Sequence, residues 1–135
     1  MIEKGLYAHL VGGSPVSALV GTRVYPLIIP QHLSAEASRM PCVVYNRINV
    51  SRQQKFCGTD HLVRSVFQLD CYAPTFLGAC AVAAETRRAL VDFRGTMGTV
   101  EVKATFLEWQ GSLVEPDPGL YRIVQRFILW HDENP

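Results

Sequence analysis

Leu62-Val63-Arg64-Ser65-Val66-Phe67-Gln68-Leu69-Asp70-Cys71-Tyr72, followed by Ala73-Pro74-Thr75, is the stretch on which the fold turns. Val63, Phe67, Leu69 and Cys71 fall on one side, Arg64, Gln68 and Asp70 on the other. A period of two marks a strand in a sheet with one dry face and one wetter face. Pro74 ends it, because proline cannot donate to a ladder. Thr75 then serves as a helix N-cap. From Phe76 the period becomes helical: Phe76, Leu77, Cys80, Ala83, Ala84, Leu90 and Val91 share a broad face, opposite Gly78, Glu85, Arg88 and Asp92. Ala83 and Ala84 let such a helix approach the strand closely.

Outward from this unit the chain reads as alternating short elements. Ile2, Leu6 and Leu10 give an amino-terminal helix, ended by Gly12-Gly13. Ser14-Pro15 opens a second, short helix with Val16, Leu19 and Val20 on its apolar side. Arg23 to Pro26 reads as a short edge strand. Leu27 to Met40 has no sustained period and reads as a long loop, with a helical turn near Ser34 to Ser38. Cys42 to Val50 is a second strand, rich in β-branched and aromatic residues. Ser51 to Asp60 reads as an exposed, basic arm or a solvated hairpin tip. Phe93 to Gly98 is a turn. Thr99 to Trp109 is a strand with Val100, Val102, Ala104 and Phe106 on one face, where Leu107 and Trp109 interrupt the polar side. Gly111 to Gly119, with Pro116, Asp117, Pro118 and Gly119, reads as a connection with strong turn chemistry. Leu120 to His131 is apolar on both faces, as in a central strand or one that meets another subunit. These elements predict an α+β domain over residues 1–135: a mainly antiparallel four- to five-stranded sheet with helices packed on one face.

A chain of 135 residues can bury roughly two thirds of its unfolded surface without metal or disulfide support. With 48% hydrophobic and 19% charged residues it has ordinary globular composition. A net charge of +1 exerts no general pull toward nucleic acid or anionic membrane. Cys42, Cys57, Cys71 and Cys80 form no C-x-x-C pair and read as reduced, structural thiols. No signal peptide is legible, and no apolar run approaches the roughly 20 residues of a membrane span. The expectation is a protein made in a reducing cytoplasm, with no membrane partner.

Catalysis needs convergent groups. His9, His32, His61 and His131 are scattered. Cys57 with Asp60 and His61 is the nearest approach to a nucleophile or a metal site, but no orienting partner or further ligand accompanies it. Glu115 and Asp117 sit in a turn and read as solvated. No catalytic, cofactor-binding or metal residue is therefore assigned, and the chain reads as no enzyme, with a small Cys/His enzyme as the outlying alternative. Nucleic-acid recognition motifs are absent.

The strand motifs, in order, carry a resemblance. Leu-Val-Gly-x-Arg-Val-Tyr-Pro ending at Pro26, Pro41-Cys42-Val43-Val44-Tyr45-Asn46-Arg47-Ile48, Gln68-Leu69-Asp70-Cys71-Tyr72-Ala73, Gly119-Leu120-Tyr121-Arg122 and Phe127-Ile128-Leu129-Trp130-His131 resemble the tail-completion, or tail terminator, family of long-tailed phages, prophages and gene transfer agents. The resemblance implies a structural virion protein at the head–tail joint. It implies a ring, typically hexameric, that caps the head-proximal end of the tail tube, ends tube growth and docks the head connector. DNA would pass through the lumen without sequence-specific binding. Implied partners are copies of the chain, the tail tube protein and the head connector or stopper protein; a neck or connector adaptor is the alternative. A ring needs two different surfaces that meet each other. Leu107, Trp109, Arg122, Arg126 and Trp130, with Arg52 and Lys55 of the basic arm, are the candidates for subunit contact.

Overall fold

The computed structural model describes residues 1–12, 15–28, 41–56, 58–114 and 120–133. The sequence readings at Ser14, Ile29 to Met40, Cys57 and Glu115 to Gly119 lie outside the described residues, as do the side chains of Gln53 to Lys55, Gly58 to Asp60 and Val114.

The elements are α1 (Ile2–Val11), α2 (Pro15–Val20), β1 (Val24–Pro26), β2 (Cys42–Lys55), β3 (Gly58–Ala73), α3 (Phe76–Leu90), β4 (Gly95–Met97), β5 (Val100–Val114) and β6 (Tyr121–Asp132). They form one sheet in the order β1-β2-β3-β6-β5-β4, curled into a half-barrel. The α+β class stands, but the sheet has six strands and is mixed. Two short strands account for the correction. β1 runs parallel to β2, which the long 27–41 connection permits. β4 is three residues beginning at Gly95, too short to show alternation, and pairs with the start of β5.

The central pair is β3 and β6, so Leu120 to His131 supplies the central strand that its two-sided apolarity allowed, with Ile123, Phe127 and Leu129 in the core beneath the helices. Ile2, Leu6 and Leu10 of α1, Val16 and Val20 of α2, and Ala79, Val82, Ala83 and Leu90 of α3 all join one core. Their partners in the sheet are Val43, Tyr45, Phe67, Leu69, Cys71, Ile123, Phe127 and Leu129. All three helices thus bury against the same face. Gly5 lets α1 lie on β4: an added Cβ would collide with the Met97 carbonyl oxygen. The Thr75 hydroxyl accepts from Gly78 N–H at 3.0 Å, the expected N-cap. The buried stripe of α3 differs from the expected one: Ala79, Val82 and Thr86 point in, while Phe76, Leu77 and Val91 are exposed. Buried Gln125 is satisfied, donating to Ala83 O at 2.9 Å and to Gln110 Oε1 at 3.0 Å, which ties α3, β5 and β6 together.

β5 continues to Val114, which corrects the sequence reading of a connection starting at Gly111. Two bulges in β5 correct the sequence reading of its faces. Register shifts at Lys103 and Glu108 each reverse the alternation. Val102, Thr105 and Leu107 therefore face the helices, while Ala104, Phe106 and Trp109 turn to the other side. Among the described residues no helix is long and apolar enough to cross a membrane.

Candidate assembly surfaces

The face of the sheet away from the helices is built by register. Its rows run Arg64–Trp130–Ala104, Val66–Ile128–Phe106, Gln68–Arg126–Trp109, Asp70–Val124–Gly111 and Tyr72–Arg122–Leu113 across β3, β6 and β5. The Val66–Ile128–Phe106 row is wholly apolar, and the rows on either side of it add Trp130 and Trp109. Phe106 is 49% exposed and Trp109 48%, with Ile48 and Leu113 similarly open. Among the described residues no helix covers this face, and clustered exposed apolar side chains of this kind mark a surface for contact with another chain.

Two of the cations on this face, Arg122 and Arg126, lie over aromatic rings. Arg126 sits over the Trp109 ring with its guanidinium carbon 5.6 Å from the centroid. Its Nε is buried without a hydrogen-bond partner. Arg122 donates to the Tyr72 hydroxyl at 3.3 Å and lies 3.7 Å from Asp70. The structure thus brings four sequence candidates, Trp109, Arg122, Arg126 and Trp130, onto one surface. Leu107 is apart from them, packed against the core on the helix side. The Lys55 side chain is outside the described residues.

The two outer edges of the sheet are unequal to the strands they should protect. β1 covers only Val43 to Tyr45 of β2, and β4 only Val100 to Val102 of β5. Among the described residues, Asn46 to Lys55 and Lys103 to Val114 have no strand on their outer side. Such edges are templates for pairing with another chain.

Arg52, the remaining candidate, belongs to a polar cluster on the helix side that sequence reading missed. Glu133 accepts from Arg47 at 3.0 Å and from Arg52, and Glu3 of α1 lies 3.5 Å from Arg47. Burial alone would raise the Glu133 carboxyl pKa, but the bonds and charges of Arg52 and Arg47 outweigh it and hold it below the ordinary value. Arg47 Nε donates to Ser65 Oγ at 3.0 Å, and Ser65 Oγ lies 2.7 Å from His131 Nε2. With one lone pair engaged by Arg47, the serine hydroxyl donates to His131, whose Nδ1–H donates to Asp132 O at 3.2 Å. This is the pattern of a neutral imidazole, the form that burial favours. Burial pushes the His131 pKa down, the Asp132 carbonyl opposes this, and Arg47 adds to it. A Ser–His pair can be a nucleophile and base, but both residues are fully buried here and the serine is bound to an arginine. Its chemistry is structural. Cys71 is likewise inert, its thiol pushed up to about 12 by burial. Among the described residues, no group of three or more His, Cys, Asp or Glu could hold a metal ion.

Over residues 4–132 the sequence matches the family model described as "Tail completion protein gp17". The chain belongs to this tail completion family. The chain is therefore a structural protein of the virion tail. Its fold is similar to that of a chain in the structure titled "Virion of native gene transfer agent (GTA) particle", with a TM-score of 0.74 and 20% identity. The match covers 95% of this chain and 92% of that one. No curated protein matches it. Family membership gives the broad role; the helix-free face and the open edges are the surfaces on which such a role can act.

Proposed function

We propose that the chain forms a closed ring, typically of six copies, on the head-proximal end of the tail tube. The ring ends tube growth and joins tail to head, and DNA passes through its lumen without sequence-specific contacts. Tail tube protein on one side and the head connector or stopper on the other are its neighbours. The observation that carries this reading is the family match across nearly the whole chain. The geometry supports it: two different unprotected edges and one uncovered apolar face suit heterologous contacts, which close into rings. The net charge of +1 suits a channel through which DNA slides without tight binding. The subunit contacts are assigned to Trp109, Arg122, Arg126 and Trp130, joined by Phe106; Lys55 and Arg52 of the arm, and Leu107 beside the open β5 edge, complete the set.

Deletion of the gene from a producing strain tests the proposal. Tails of uncontrolled length, unattached to heads, are the expected result. Normal, attached tails in the deletion strain would overturn it.

A further inference from the structure

The β2–β3 hairpin runs past the end of the sheet. β6 stops at Asp132, opposite Leu62, and beyond that row β2 and β3 pair only with each other, through Gln54–Thr59 and Lys55–Gly58. Phe56 stands at the tip, fully exposed. Among the described residues Glu133 is the last to touch the hairpin before it leaves the sheet, and it touches both strands. Its backbone N–H donates to His61 O of β3 at 2.8 Å. Its carboxylate accepts from Arg47 and Arg52 of β2, one guanidinium on each oxygen.

That grip depends on a bulge. Arg47 and Arg52 are five residues apart, so in an unbroken strand they would point to opposite faces. The register shift at Ile48 reverses the alternation between them. Arg47 faces Phe67 and Arg52 faces Val63, both on the helix side, and the two cations converge on one carboxylate. Two guanidiniums this close need an anion between them, and Glu3 reaches only Arg47.

We propose that Glu133 is a latch: it holds the bulged base of the β2–β3 hairpin in register with the sheet and so sets the direction in which the arm carries Phe56. Without the carboxylate, Arg47 and Arg52 repel across the bulge and the arm base opens while the sheet behind it stays intact. Hydrogen exchange on the full chain, comparing wild type with Glu133→Gln, tests this. Exchange in the segment from Asn49 to Arg64 is expected to rise about tenfold, as loss of a charge-assisted bond implies, with α3 and the middle of β6 unchanged. Arg52→Gln, at a more exposed position, is expected to move the same segment in the same direction, and decides the matter should Glu133→Gln loosen the whole chain. Unchanged exchange at Asn49 to Arg64 in both variants, or a rise spread evenly over the protein in both, would overturn the latch.

Discussion

The two faces of the sheet are made from the same strands and differ in what covers them. On one face Phe67, Leu69, Phe127 and Leu129 are fully buried beneath three helices. On the other, Val66 and Val124 are buried, but Phe106 and Trp109 stay about half exposed, and among the described residues no helix lies above them. The contrast shows that strand sequence alone does not say which apolar residues serve folding. Those beneath the helices form the core of the subunit; on the reading proposed above, Phe106 and Trp109 serve contact with another chain.

Four substitutions probe that contrast. Phe127→Ala removes a large side chain from the centre of the covered face and is expected to cost about 3–5 kcal/mol in denaturant unfolding. A loss under about 1 kcal/mol would mean that the covered face is not the stabilising one. Gly5→Ala forces a methyl against the Met97 carbonyl and should cost about 1–3 kcal/mol, because backbone must move. Thr75→Ala loses the α3 cap bond and should cost about 1 kcal/mol. Trp109→Ala, on the open face, should change subunit stability by less than about 1 kcal/mol, while abolishing incorporation into particles. A large stability loss there would erase the distinction between the faces.

A pH titration sharpens the comparison on the covered side. His131 is neutral when folded and its pKa is lowered, so the unfolded chain takes up a proton first as pH falls. Its contribution is complete above about 6.5, the ordinary imidazole value, and is lost as pH drops from there toward the lowered folded value. Glu133 acts only in more acid solution, since its pKa lies below the ordinary glutamate value. Unfolding midpoints measured from neutral to mildly acid pH should fall for wild type and flatten for His131→Asn. Equal slopes would show that His131 is not the titrating group.

Much of this architecture is legible in the sequence. α1, β3 and the Thr75 cap follow from periodicity and cap chemistry, and the two-sided apolarity of β6 admits its central place without deciding it. β4 escapes because three residues from Gly95 carry no pattern. The arm reads as irregular because its strands have no apolar face to alternate. β5 is readable in extent but not in phase: the bulges at Lys103 and Glu108 leave no local mark, and each exchanges the faces of every residue beyond it. For the same reason Leu107 and Trp109, adjacent interruptions in the sequence, sit on opposite faces. The Arg47–Glu133–Arg52 cluster unites residues distant in the chain through another bulge, which no single-strand period reveals.

A cryo-EM reconstruction of the tail's head-proximal end, in assembled particles, tests the central claim most directly. It should show a closed ring in which Phe106 and Trp109 are buried against another chain and the open β2 and β5 edges are paired or covered. A ring joined through other surfaces, with Phe106, Trp109 and both edges facing only solvent, would contradict it.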